Sequence, residues 1–559
     1  MRRLLLVVAF VAAPSTVVAQ RPLISARGVV NAASYISGGL PGGSIARGSL
    51  FSIFGANLGP ASSPGLAFPL STNLGGVTVQ VTQGSTTVAA IPTFVSPFQV
   101  NAIMPSNAPL GAVSLYVTFG GFTSPPNPAR IVADSFGTFA INSGGSGPGV
   151  MQNFVSATSV PLNSTSTAAQ PGQTIVLYGT GLGAALNADN VAPTAGNLPT
   201  KVEVFVGGQL AQTSYSGRSP CCSGLDQIAF VVPAGAPLGC WVPVQIRTSG
   251  TTVSNTTTMA ISANGSPCSD SNNALSAPFL RGQKVGLIAL LRTDVIEDVG
   301  TQLPNQPVAN NVTTDSIMMT FQQENATPFT FNPIFSLPPP GSCTAYTAAG
   351  DLFDGDPLPG ALTSGKFLNA GTPLTVSSAT DKRMVKRPAS NARNFQPLGY
   401  TYTGSLVPSS LFLSPGAFTI SGPGGPDAGS FQGQVTLATP LAWSNRAQTT
   451  IITRSQGFTV NWTGAPSGQS VLIFGGGVDV PTNSSAIFAC VAPAGASSFA
   501  VPSAILGNVP ATRVNLLQSK GVVYVGSLPT QNPTTFSAGG IDFGAMMGGA
   551  FFGKTVIFQ

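Results

Sequence analysis

Few side chains in this sequence are able to do chemistry, and their types narrow what the protein can be. Histidine is absent from all 559 residues. That removes Ser-His-Asp and Cys-His catalysis, histidine metal sites and imidazole pH sensing. Asp and Glu together number 17. The densest acidic group is Asp351, Asp354 and Asp356, in Asp351-Leu352-Phe353-Asp354-Gly355-Asp356-Pro357. Several carboxylates in one loop suit a hard cation such as calcium, but the run lacks EF-hand spacing and the closing Glu. An Asp-Gly-Pro turn is the competing reading, and no metal site is assigned.

Gly548-Gly549-Ala550-Phe551-Phe552-Gly553-Lys554-Thr555 satisfies the phosphate-loop pattern GxxxxGK[ST]. That chemistry needs a following helix whose N-terminus holds the phosphates. Only Val556-Ile557-Phe558-Gln559 follow, so the residues read as a last strand in a Gly-rich segment. Gly179-Thr180-Gly181-Leu182-Gly183 lacks the GxGxxG spacing and precedes no helix pattern. No GxSxG or SxxK nucleophile motif occurs. Paired carboxylates could still hydrolyse glycosides without histidine. Sugar platforms display Trp and Tyr, whereas 3 Trp and 8 Tyr stand here against 33 Phe, a balance suited to filling cores. No catalytic residue and no cofactor is expected.

The six cysteines are Cys221, Cys222, Cys240, Cys268, Cys343 and Cys490, with no CxxC pair. An even number without metal-ligand spacing points to disulfides. Cys343 and Cys490 are the only cysteines beyond residue 268 and should pair. Cys240 opens a strand running to about Arg247, and Val253 to Ile261 reads as its antiparallel return, which brings Cys268 back to Cys240. Cys221 and Cys222 are then left to bond each other or to stay reduced.

The elements that must position these residues are strands. Only 7% of residues are charged, against roughly 25% in an ordinary globular protein. Gly 66 and Pro 48 add chain breaks, so long amphipathic helices are excluded. Hydrophobic residues make up 43%, so a charge-rich disordered chain is excluded too. Arg47-Gly48-Ser49-Leu50-Phe51-Ser52-Ile53-Phe54-Gly55-Ala56-Asn57-Leu58-Gly59 is echoed by Pro171-Gly172-Gln173-Thr174-Ile175-Val176-Leu177-Tyr178-Gly179-Thr180-Gly181-Leu182-Gly183. Gln99 to Pro105 and Pro109-Leu110-Gly111 are answered by Gln227 to Pro233 and Pro237-Leu238-Gly239. Landmarks in one order at nearly constant spacing define two copies of one domain. Short runs such as Val77 to Val81 and Val202 to Val206, separated by Gly, Pro and Asn, give the copies a sandwich signature.

The pattern G-x-x-I-x-[FY]-G-x-x-L-G, followed by Q-[VI]-x-x-x-x-P and P-L-G, resembles IPT/TIG-type immunoglobulin-like modules. With Val30-Asn31-Ala32-Ala33-Ser34-Tyr35 in front, it is similar to secreted bacterial proteins of the Solibacter-type uncharacterised C-terminal domain family. The resemblance covers about residues 28 to 265 and implies immunoglobulin-like sandwiches. It carries over no catalytic residues. The module usually closes its chains, whereas this chain continues to residue 559.

Beyond Asn273 the chain is again strand-like, at Val285 to Leu291, Ser316 to Phe321, Thr344 to Tyr346 and Leu374 to Ser377. A later block around Phe458-Thr459-Val460-Asn461-Trp462 reads as a strand with an inward Trp, like the middle of a fibronectin-III-type sandwich. Arg2 and Arg3, an apolar run from Leu4 to Ala13, and Val17-Val18-Ala19 before Gln20 form a secretory signal pattern. The expected organisation is a signal peptide at 1–19, sandwiches at 20–140 and 141–266, and β-rich domains at 280–440 and 441–559. The net charge of +6 is too thinly spread for nucleic acid. Its one basic run, Lys382, Arg383, Lys386 and Arg387, reads as an exposed hairpin tip. No segment is apolar over 18 or more residues, so no membrane span is expected. The expectation is an all-β, exported, non-enzymatic structural or interaction protein whose partner is a protein or glycan at the cell surface. The alternative is a polysaccharide-binding or polysaccharide-acting protein with its active part after residue 280. A cleft lined by two carboxylates, or by Trp462 and tyrosines, would favour that alternative.

Overall fold

Alternation of small or β-branched apolar residues with polar ones makes strands that bury one face. Thr78–Gln83, for example, buries Val79 and Val81 and turns Gln80 outward. A computed structural model describes residues 20–297, 310–349, 365–385, 402–405, 411–512 and 519–559. The leader 1–19, the acidic run Asp351, Asp354 and Asp356, and Lys386 and Arg387 lie outside the described residues. The described chain is all-β apart from two short helices, Ser276–Leu280 and Ser503–Leu506.

The first module orders its strands Leu23–Asn31, Leu50–Ala56, Gln99–Ile103, Thr86–Val95, Thr78–Gln83, Gly111–Phe119, Asn127–Val132 and Ile45–Ala46. The second repeats that order: Gly137–Thr138, Thr174–Thr180, Asp226–Val231, Gln209–Arg218, Val202–Val206, Gly239–Thr248, Thr257–Ile261 and Gly147–Pro148. In each, one strand serves two sheets. Thr86–Val95 pairs with Thr78–Gln83 through its first half and with Gln99–Ile103 through its second, with a bulge between Pro92 and Phe94. Gln209–Arg218 does the same, with its bulge between Thr213 and Tyr215. The bulge bends the strand across the sandwich. Ile53 opposite Val100 and Ile175 opposite Phe230 are fully buried at equivalent places. Each such side chain contributes about 1.5–3 kcal/mol. These are tandem immunoglobulin-like sandwiches.

The division expected at residue 140 shifts. Gly137–Thr138 pairs with Thr180 and Gly179, so the second module begins before 141.

The division expected near residue 440 is also corrected, because one sheet runs across it. Its order is Ser342–Ala349, Ser484–Val491, Ser470–Asp479, Ser519–Leu528, Phe543–Thr555, Lys284–Glu297 and Asn310–Gln323, with short strands at its edge. Strands before 440 pair with strands after it at both ends: Ser342–Ala349 with Ser484–Val491, and Lys284–Glu297 in parallel with Phe543–Thr555. Two smaller sheets cover one face of this sheet. Leu374–Ser377, Gly416–Gly422 and Phe431–Leu437 close one core with Ile288, Leu290 and Met546. Phe458–Thr463 and Ser498–Val501 close another with Ile473, Phe488 and Val523. The alternate residues Val285, Leu287, Ala545 and Met547 face the opposite side, toward the second module. Strands buried on both faces read as continuous apolar runs, which the segment Val285 to Leu291 does.

Candidate functional site

Where the units meet, polar residues are buried and almost all are satisfied. Asn31 is the hinge of the first joint. Its Oδ1 accepts from the Ala33 and Ser34 amides, closing a local turn. Its Nδ2 donates across the joint to the carbonyls of Ser135 and Thr180. The Leu50 amide donates to Thr180 Oγ1 at 2.8 Å, and that hydroxyl donates to the Gly224 carbonyl. Beside them, Arg218 and Asp226 form a buried ion pair. Asp226 also accepts from the Gly181 and Leu182 amides, both at 2.8 Å, while Arg218 Nη2 donates to the Gly183 carbonyl. Complete burial pushes the Asp226 carboxyl up, against the opposing pull of Arg218 and the two amides. In the first module the Pro97 carbonyl does this work for Leu58, the counterpart of Leu182. Gly48 lies against the guanidinium with φ +66°, so a Cβ there has no room.

The second joint is apolar and bridged. Cys240 and Cys268 are bonded, with Cα atoms 5.2 Å apart. Gly239 of the first hairpin strand faces Ile261 of its return, which puts Cys240 at the end from which Cys268 approaches. Trp241 packs on Phe279, which stacks on Phe335, and Trp241 Nε1 donates to the Thr330 carbonyl.

All three units enclose one cavity of about 200 Å³. The first module contributes Ser34 and Tyr35, the second Asn255 and Thr256, and the C-terminal unit Thr347 and Asn508. Tyr35 sits in the left-handed region (φ +54°), and burial pushes its phenol up. Asn255 is fully engaged: Oδ1 accepts from the Thr138 amide, and Nδ2 donates to the Thr138 and Gly145 carbonyls. Thr256 Oγ1 accepts from Gln245. Asn508 differs. It is 1% exposed, its backbone is fixed by the Ile505 carbonyl, and neither side-chain Nδ2 nor Oδ1 has a hydrogen-bond partner. Gly144, Thr347 and Ala348 are partly exposed and form the rim. No lining side chain is charged.

The residues singled out from sequence fall elsewhere. Cys343 and Cys490 face each other across two neighbouring strands and are bonded, with Cα atoms 4.0 Å apart. Cys221 and Cys222 are bonded to each other in an exposed loop, the first of the two options left open. The GxxxxGKT residues lie inside strand Phe543–Thr555, and Lys554 is buried, donating to the Ala447 carbonyl and Thr450 Oγ1. Trp462 is 2% exposed and fills a core, so its ring is not displayed. Lys382 and Arg383 lie on an edge strand, where Arg383 pairs with Asp381 and stacks on Phe412. Among the described residues no three Asp, Glu or Cys side chains cluster as metal ligands, and no helix is long and apolar enough to cross a membrane. Asn31, Arg218, Asp226 and Asn508 were not flagged from sequence. Asn31 falls within a recognised run, while Asn508 carries no local signal.

No family model and no curated protein matches the chain. Among solved structures it is similar to the plexin A4 extracellular region at 13% identity, covering 41% of this chain and 17% of that one, with a TM-score of 0.15. It is also similar to a tetra-tandem repeat from the extending region of a large adhesion protein, at 11% identity over 95% and 97% of the two chains, TM-score 0.14. A third is SGBP-B of the Bacteroides ovatus mixed-linkage glucan utilization locus, at 10% identity over 82% and 88%, TM-score 0.16. The chain thus spans under a fifth of the plexin region and nearly all of the other two. At these scores the likenesses add nothing to the architecture described above.

Proposed function

We propose that the protein is an exported, non-enzymatic structural or interaction component of the cell surface or matrix. The observation that carries this reading is the pairing of all six cysteines in three disulfides. Disulfides persist in oxidising compartments, and the sequence begins with a secretory signal pattern. The joints support a structural role. The modules are held together by buried hydrogen bonds and a disulfide-backed aromatic contact, so the chain presents its surfaces in one arrangement. The motif resemblance to the secreted Solibacter-type family agrees with export. On this reading residues 1–19 are removed, and the partner is a surface protein or glycan.

The test is expression in a bacterial host with an intact export pathway, followed by N-terminal sequencing, unreduced peptide mapping and a polysaccharide hydrolase panel on the mature chain. The expected result is export, a start at Gln20, three intact disulfides and no turnover. Retention in the cytoplasm with free thiols, or hydrolysis of any panel substrate, would refute the reading.

A further inference from the structure

We propose that the Cys221–Cys222 disulfide is a thiol-exchange site, and that its reduction by a dithiol loosens the joint between the two sandwiches. The proposal concerns the folded chain itself, so it stands or falls separately from the export reading.

The three disulfides differ in exposure and reach. Cys343 and Cys490 are buried and 147 residues apart, and Cys240 is buried with Cys268 partly covered. Cys221 and Cys222 are both exposed and are neighbours in sequence. A bond between neighbours closes almost no loop, so it restricts the unfolded chain least of the three and adds least to stability. Exposure admits an attacking thiolate, and exposed disulfides are the labile ones. Opening leaves the two partners joined through one peptide, so closing the bond again needs no refolding.

The position of the bond gives it leverage. It lies in the turn from Ser219 to Leu225, where the Ser219 amide donates to the Leu225 carbonyl and the Leu225 amide donates to the Cys222 carbonyl. That turn is held against the first module. Gly224 packs on Leu50 and Ile103 so closely that a Cβ there would stand 2.9 Å from Leu50 Cγ. The Gly224 carbonyl accepts from Thr180 Oγ1, which takes the Leu50 amide. Ser223 Oγ donates to the Val191 carbonyl, and the adjoining Asn190 and Asp189 hold the Leu70 amide and Ser106 of the first module. The small ring of a disulfide between neighbours fixes the torsions on both sides of the peptide that joins them. Opening it returns that freedom right next to these contacts.

In the reaction a thiolate of the dithiol attacks one cysteine sulfur, the S–S bond breaks, and the other cysteine leaves as a thiolate. The second sulfur of the dithiol then displaces the first cysteine. Two electrons pass to the protein, the dithiol becomes a cyclic disulfide, and its two protons end on Cys221 and Cys222.

The oxidised chain is treated with about 1 mM dithiothreitol without denaturant, its thiols are alkylated at intervals and mapped, and hydrogen exchange is followed by mass spectrometry. Cys221 and Cys222 are expected to label roughly tenfold faster, or more, than the other four cysteines. Once they are reduced, exchange in peptides covering Leu50, Leu70 and Leu225 is expected to rise severalfold, with no change at Ser484–Val491. Cys221→Ser/Cys222→Ser should show the raised exchange without reductant and no response to it; if that variant does not fold, the unsubstituted chain decides. Labelling of all six cysteines at one rate, no labelling at all, or unchanged exchange after reduction overturns the proposal. A joint that still responds to dithiothreitol in the variant overturns it as well.

Discussion

Replacing Asp226 by Ala is expected to destabilise the second module by about 3–5 kcal/mol, the range for removing one partner of a buried ion pair. Two losses combine. The Gly181 and Leu182 amides, each 2.8 Å from the carboxylate, lose their acceptor, and an unpaired buried N–H costs about 1–3 kcal/mol. Arg218, whose side chain is 7% exposed, keeps only the Gly183 carbonyl and becomes an uncompensated charge. The two losses overlap, so their sum is an upper figure. Asp226→Asn retains an acceptor and should cost less. The double variant Arg218→Met/Asp226→Leu removes the stranded charge but not the orphaned amides, so it should fall back toward 1–3 kcal/mol. Hydrogen exchange read by mass spectrometry on peptides spanning 174–183 and 226–231 suits a chain of several units, because it reports local opening. A loss of 3–5 kcal/mol raises exchange there by roughly 10²–10³-fold or more. An increase below tenfold for Asp226→Ala, or a double variant as damaged as the single one, would refute the reasoning.

Glu324 is 6% exposed, and burial pushes its carboxyl up to about 7, opposed by a hydrogen bond with Asn332. Because the folded value lies above the unfolded one, this group favours the fold fully below about pH 4.5 and loses that contribution as pH rises through 7, by roughly 1–3 kcal/mol. Glu324→Gln should therefore raise the melting temperature at pH 8 and flatten its pH dependence; an unchanged pH profile would count against the burial argument. Opening Cys343–Cys490, which are 147 residues apart, by Ser substitution at both positions should cost about 2–5 kcal/mol in denaturant unfolding of the C-terminal unit, and a cost under 1 kcal/mol would mean that the sheet pairing alone suffices. Gly48→Ala and Gly172→Ala form a matched pair at equivalent positive-φ sites. The second has open space and should cost only about 1 kcal/mol, whereas the first also meets Arg218 and should cost at least twice as much by melting; equal losses would show that the joint tolerates a methyl group.

The sandwiches were legible because local signals repeat. Gly48 and Gly172 mark left-handed turns, Ile53 and Ile175 mark the core, and the spacing shows the duplication. Two disulfides were legible for similar reasons: the hairpin carrying Cys240 is short-range, and the Cys343–Cys490 pairing follows from there being no other late cysteine. The division near 440 failed because strand pairing across hundreds of residues leaves no local mark. Nothing near Lys284 says that its strand will lie beside Phe543–Thr555. The cavity was illegible for a related reason. It is made of single residues from three units, and Asn508 looks like an ordinary polar residue until its surroundings are known.

The parallel pairing of Lys284–Glu297 with Phe543–Thr555 also sets a timetable. The two sandwiches are complete in sequence by Ile261, so they can fold while the rest is still being made. The hairpin of Lys284–Glu297 and Asn310–Gln323 emerges next, with one apolar edge waiting for a partner some 250 residues downstream, which at ~5–20 residues per second is a delay of at least ten seconds. During that interval the edge is open to pairing with other chains. The C-terminal unit is therefore all-or-nothing: loss of Phe543–Thr555 removes the middle of a sheet and not a dispensable tail.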